Sequence, residues 1–388
     1  MGNLKNLWSK FKGISISGQI SIATSVIWGV FVIIVLVLWF WNVDTELTIE
    51  ARADSLEFEQ LEDLSWFSDS IKSNWLALGG MNLTFRTSTV EIRKDGNACF
   101  RNEDKITELE IQALPRRESD FEAIIYKTRP DENGFPKEDE DIELNKIHVS
   151  KNSKLHVELG EKGARIEFRV SRGFMKGEIN TNVFHMVIRA GQVRRKNNKA
   201  LLCSGYFEIT GKSLLKHPLT FKTESSGRVF LINPRPDNGV FLKEHPTRKA
   251  INNLRVQIST AIDSDSKRRS YIRYSAINAK VPASDYPLTA GKRISLTSKQ
   301  NFDINVLIIS FQGIEFISET RSDDITLGGR QICPSSLENI PRFWGVMIAI
   351  GVFFLDKIFL VVILRQLPEK DKSKEAGDNI TRRGIPSK

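Results

Sequence analysis

Two apolar runs, one near each end of the chain, restrict what it can fold into more than any other feature. Ile20 to Trp41 and Phe343 to Leu364 are each long enough, at ~1.5 Å rise per residue, to cross a hydrocarbon core of about 30 Å as a helix. The first holds no charged residue, and Trp39 and Trp41 crowd one end as an interfacial belt does. A buried soluble helix and a cleaved signal peptide are the competing readings. A signal's apolar core spans about 7–15 residues with its A-x-A site close behind, whereas Ala51-Arg52-Ala53 lies well beyond this longer run.

The second run contains Asp356 and Lys357. At a helix centre each charge costs about 2.5–3.5 kcal/mol, while each surrounding Ile, Val, Leu or Phe returns about 0.3–0.6. Insertion alone is therefore near balance, and packing against another helix is expected to complete it.

Basic residues near the ends orient the pair. Lys5, Lys10 and Lys12 precede the first run without an acid among them, and Asp44, Glu46, Glu50 and Asp54 follow it. Arg365, Lys370, Lys372, Lys374, Arg382, Arg383 and Lys388 follow the second. Both termini are expected in the cytoplasm, which agrees with an even number of spans. The same flanks carry most of the net charge of +9 and leave the middle close to balanced, so the basic isoelectric point gives no support to nucleic-acid binding. Cys99, Cys203 and Cys333 are too few for a disulfide-stapled scaffold, and Asn82-Leu83-Thr84 is the one glycosylation sequon of the middle. These absences favour a bacterial inner membrane with the domain in the periplasm.

From about residue 81 onward the hydrophobic pattern alternates with period two, the signature of half-buried strands. Segments such as Phe121 to Lys127, Ala164 to Val170, Val183 to Arg189 and Phe302 to Ser318 are separated by clusters of Gly, Pro, Asn and Asp. The expected fold is two transmembrane α-helices flanking a mainly-β, sandwich- or jelly-roll-like extracytoplasmic domain. Its expected parts are a cytoplasmic flank at 1–19, helices at 20–41 and 343–364, the β domain at 42–342 and a disordered tail at 365–388. Leu61, Leu64, Ile71, Trp75 and Leu78 recur at helical spacing with Asp54 placed to cap them, which predicts a helix over 54–78. Leu47, Ile49, Ala51 and Ala53 alternate as a strand just before it. If the β domain holds two sub-units, their division is expected within 218–252, a stretch rich in Pro and Gly.

Gly345, Ala349 and Asp356 share one face of the second span, and Ser21, Ser25 and Gly29 form a small-residue stripe on the first. These six are the expected helix-packing residues, with assembly favoured over a proton relay because one carboxylate makes a poor pathway. Gly211-Lys212-Ser213 resembles the end of a phosphate loop but lacks its spacing, and a turn between strands is expected there. The acidic run Asp131 to Glu143 lacks calcium-loop spacing and reads as a solvated excursion. His148, His156, His185, His217 and His245 are scattered; His156 and His185 fall within strand patterns. Trp66, Trp75, Tyr206, Tyr271, Tyr274 and Tyr286 are candidates for a sugar platform or for core packing.

No motif indicates a catalytic, cofactor or metal site. The favoured expectation is a structural or accessory subunit of an envelope complex. It would meet membrane lipid, other membrane or envelope proteins or copies of itself, and a protein or glycan through the β domain. A membrane-anchored extracytoplasmic hydrolase and an oligomeric channel subunit are the alternatives, since topology alone does not fix activity.

Overall fold

A computed structural model describes residues 16–65, 70–103, 105–131, 141–160, 163–214, 217–244, 249–257, 271–287, 293–336 and 351. The chain divides into two compact units, with boundaries between Trp39 and Phe40 and between Ser335 and Ser336.

The first unit contributes one described helix, α1 (Ile16–Phe40). From Ala23 it is apolar and outward-facing on nearly every side, with Val26, Ile33 and Phe40 exposed. By length and composition it is a candidate membrane span or signal sequence, as the sequence leads one to expect. The second expected span, 343–364, and the tail at 365–388 lie outside the described residues except for Gly351. The two-span expectation is therefore unsupported by the described structure.

The second unit is almost entirely strand. Its first part runs β1 (Thr45–Ala53), β2 (Ser55–Gln60), β3 (Leu64–Ser65), β4 (Ile71–Lys94), β5 (Asn97–Asn102), β6 (Thr107–Ala113) and β7 (Glu122–Tyr126). The middle runs β8 (Ile142–Val149), β9 (Lys154–Leu159), β10 (Arg165–Arg172), β11 (Met175–Asn180), β12 (Val183–Arg195), β13 (Leu201–Ser213) and β14 (Leu219–Arg235). The last part runs β15 (Val240–Glu244), β16 (Lys249–Gln257), β17 (Tyr271–Ile277), β18 (Ser284–Pro287), β19 (Arg293–Ser298), β20 (Phe302–Ser310), β21 (Gly313–Ser322), β22 (Ile325–Leu327) and β23 (Arg330–Gln331). Side chains alternate inward and outward, so that Leu47, Ile49, Ala51 and Ala53 of β1 are buried while their neighbours face out. The core is rich in phenylalanine, with Phe58, Phe168, Phe207 and Phe316 fully buried and Phe85 meeting Phe184 edge to face at 5.2 Å.

The strand pairings among the described residues are antiparallel, and β4 organises them. Along one edge it pairs with β8, β7, β6 and β5 in turn, and along the other with β14 and then β13. Strand β12 joins β6 and β7 to β13, so this ladder returns to β4 and closes on itself. A second closure runs from β4 through β14, β11 and β8 back to β4. Gly80, at φ +62°, supplies a backbone conformation that costs an L-residue energy, at the point where β4 passes from β7 to β6. A disulfide joins Cys99 of β5 to Cys203 of β13, with Cα atoms 5.9 Å apart, and Cys333 is buried and free.

The helix expected over 54–78 is absent. Strand β2 occupies its first part, pairing with β9 on one side and β16 on the other, so its backbone groups are satisfied across the sheet. Leu56, Phe58 and Gln60 point inward together, and the Gln60 amide donates to the carbonyl of Val149 at 2.8 Å. The helical spacing runs across separate elements, since Leu61 lies between β2 and β3, Leu64 begins β3, and Ile71, Trp75 and Leu78 belong to β4. Residues 40–335 form one compact unit, and β14 runs through the first half of 218–252, the stretch where two sub-units would have divided. The expected strand Phe302 to Ser318 is two strands, turned at Phe311-Gln312.

The unit begins and ends at one place. Asn42 bridges Ser335, and the amide of Val43 donates to the carbonyl of Pro334 at 2.9 Å. Strand β1 then lies between β21 and β17, so the first strand of the unit is held on both sides by strands near its end.

Candidate functional site

The outer face of β3, β8, β11, β14 and β4 carries a groove of about 660 Å³. Two transverse rows of side chains line it, each assembled by strand register. In the first row Ser65 stands opposite His148, His148 opposite Lys176, Lys176 opposite Lys222, and Lys222 opposite Asn82. In the second, Glu110 of β6 stands opposite Thr84, Thr84 opposite Thr220, and Thr220 opposite Glu178. At about 4.8 Å per strand the first row extends on the order of 19 Å.

Local backbone features build the floor and one wall. Gly177 packs so closely on Phe221 that a Cβ would lie 2.4 Å from its ring. The register between β11 and β8 shifts between Lys176 and Glu178, and Lys146, at φ +45°, sits in that irregularity and reaches the groove. Such bulges redirect a side chain out of the regular ladder. Between β10 and β11 the chain turns at Gly173 (φ +88°), where a Cβ would lie 1.9 Å from the Ser153 hydroxyl. The turn is pinned by the Phe174 amide, which donates to the Ser150 hydroxyl at 3.0 Å. It sets the Phe174 ring 6.4 Å from the His148 ring and 4.9 Å beneath the Lys222 ammonium.

The charges are unevenly matched. Lys196 donates to Glu108 at 2.7 Å, and this hydrogen bond holds the Glu108 carboxyl below the usual carboxylate range. Lys154 and Lys299 elsewhere also meet carboxylates, Glu57 and Asp323. Lys146, Lys176 and Lys222 form no ion pair among the described residues, although the last two are direct cross-strand neighbours.

His148 bridges two further groups. The Ser65 hydroxyl lies 3.4 Å from its Nδ1, and Asp63 Oδ1 lies 3.2 Å from its Nε2. The Asp–His–Ser order is that of a hydrolytic relay, but the hydroxyl contact is at the limit of a hydrogen bond and the Asp63 side chain is 62% exposed. A buried, orienting carboxylate is what such a relay requires, so Ser65 and His148 serve here as polar lining of the groove.

The expected sites fall elsewhere or outside the described structure. Ser25 and Gly29 lie on α1, with open space where a Cβ on Gly29 would project. Ser21 lies on the same helix, its side chain outside the described residues, as are Gly345, Ala349 and Asp356. Gly211-Lys212-Ser213 is not a turn: it ends β13, with a Cβ at Gly211 falling 2.7 Å from the Phe184 ring. Most of the acidic run, 132–140, lies outside the description, and Asp141 pairs with Arg235 at 3.2 Å. His156 and His185 are strand residues as expected. Trp75 stacks on Tyr126 with centroids 5.8 Å apart, Tyr206 is half-exposed, and Trp66 and His245 lie outside the described residues. Among the described residues no group of three or more His, Cys, Asp or Glu is placed to hold a metal ion.

Sequence reasoning missed the groove because its residues are spread from Ser65 to Lys222. Only strand register brings them together, and no local motif marks them. Neither a scan of protein-family models nor a search of curated proteins finds a match to this chain.

Proposed function

We propose that the protein is a membrane-anchored accessory subunit of a cell envelope, whose β unit lies outside the cytoplasm and binds a component there through the groove of β3, β8, β11, β14 and β4. The observation that carries this reading is the basic row: Lys176 and Lys222 face each other across adjacent strands with no carboxylate paired to either among the described residues. Like charges directly opposite destabilise a sheet, so a fold that keeps them gains something other than stability. The anchoring half of the reading rests on α1 and on the meeting of the unit's two ends at Asn42 and Ser335. Ends that leave together suit attachment through both apolar runs. Ser21, Ser25 and Gly29, with Gly345, Ala349 and Asp356, are then the surfaces through which spanning helices associate.

Hydrolysis is the second reading, favoured by the Asp63–His148–Ser65 contacts. Glycoside cleavage calls for carboxylates about 5–10 Å apart, whereas Glu110 and Glu178 stand on strands separated by two others, backbones on the order of 14 Å apart. That spacing supports binding over cleavage.

A photo-crosslinking residue placed at Thr220 of the full-length protein in intact cells tests the proposal. A specific adduct at Thr220, absent when the same residue replaces exposed Gln300 far along the sequence, is expected. Equal labelling from both positions, or none from Thr220, would overturn it. A reporter fused near residue 200 that behaved as cytosolic would overturn the placement outside.

A further inference from the structure

The groove has two chemically distinct edges, and together they define one kind of ligand. Resting on the binding role proposed above, we infer that the groove holds a linear acidic glycan, its anionic substituents along the row of His148, Lys176 and Lys222 and its hydroxyls along the row of Glu110 and Glu178. Each row supplies what the other cannot. Ammonium groups donate only, and ionised carboxylates accept only. A ligand filling both rows must therefore offer anionic acceptors along one edge and O–H or N–H donors along the other.

An acidic sugar does so within every residue, because carboxylate or phosphate substituents and free hydroxyls project from the same ring. An acidic peptide would satisfy the lysines but offer Glu110 and Glu178 only backbone N–H groups, beside side-chain carboxylates that those two residues repel. A neutral sugar would leave Lys176 and Lys222 facing each other uncompensated. Thr84 and Thr220, lying between the two carboxylates, can donate or accept and tolerate either edge. Phe174, held beneath Lys222 and beside His148, adds a flat apolar face against which C–H groups of a sugar ring can pack. The first row extends on the order of 19 Å across five strands, which calls for an extended oligomer and not for a single sugar.

The test uses the full-length protein in lipid nanodiscs, with oligogalacturonate as the acidic glycan, maltohexaose as the neutral one and hexaglutamate as the polyanion without hydroxyls. Oligogalacturonate is expected to bind most tightly, and its affinity to fall with added salt. The double variant K176Q/K222Q is expected to lose about tenfold or more for oligogalacturonate, the scale of one or two charge-assisted hydrogen bonds. E110Q/E178Q is expected to weaken oligogalacturonate while leaving hexaglutamate equal or tighter. A melting temperature that does not fall in either variant shows that the contacts, and not the fold, were lost; in K176Q/K222Q it should rise slightly as the like-charge opposition is relieved.

Hexaglutamate binding as tightly as oligogalacturonate would overturn the assignment in favour of an acidic peptide. Maltohexaose binding equally well would remove the role of the lysines. If no sugar binds while the Thr220 crosslinker still captures a component, the glycan assignment falls and the binding groove stands. If both fail, the binding role itself falls.

Discussion

Two stretches of the same antiparallel sheet treat charge in opposite ways. Where β1 lies between β17 and β21, opposed residues are matched: Glu46 faces Arg321, Glu50 faces Arg273, and Arg52 faces and pairs with Glu315. Where β11 lies between β8 and β14, Lys176 faces Lys222 on one side and His148 on the other. Strand geometry is common to both, so backbone constraints do not explain the difference. The matched stretch uses its outward positions to stabilise the sheet where the unit's ends meet, and the mismatched stretch leaves them free to meet something else.

The largest effect is expected at the groove floor. Gly177→Val would drive a side chain into the Phe221 ring and the Lys146 carbonyl, now 2.4 Å and 3.1 Å from an ideal Cβ, costing about 1–3 kcal/mol as overpacking does. A melting temperature that does not fall would show that the floor yields more easily than the structure indicates. Glu315→Lys would create in the matched stretch the like-charge opposition that the groove already has, placing a lysine against Arg52. Chemical denaturation should register a loss of roughly 1 kcal/mol.

The converse change, Lys176→Glu, supplies the missing opposite charge beside Lys222. Stability should rise by a few tenths of a kcal/mol while polyanion binding falls. A variant that gains neither stability nor loses binding would erase the contrast between the two stretches.

The smallest effect concerns acid. His185 is buried against Tyr126 and lies 3.7 Å from Glu208, and burial pushes its imidazole below the ordinary 6.5. The unfolded chain therefore takes up this proton first as pH drops. Stability should decline as pH falls below about 6.5, a decline that His185→Gln should flatten in a series of melting curves between about pH 7 and pH 5.

The sequence made some of this legible for physical reasons. Alternating burial in β1 and β9 follows directly from alternating apolar residues, and α1 follows from a run that has no charge to place in water. The false helix over 54–78 shows the limit of periodicity. Leu61, Leu64, Ile71 and Trp75 match a 3.6-residue repeat only by running from the end of β2 through β3 into β4, and nothing local reports that β2 pairs sideways with β9 and β16. The groove was illegible for the same reason. Outward lysines at 176 and 222 look like any solvated lysine until register sets them face to face.

The closure of the unit's two ends has a mechanical consequence. A pull between those shared ends and anything seated in the groove is carried along β1, whose ladder to β21 holds nine register pairs from Thr45 with Ser322 to Ala53 with Ile314. Force applied along a strand strains its rungs simultaneously, whereas force applied across it snaps them one after another. Built this way, the unit is suited to remaining folded under tension.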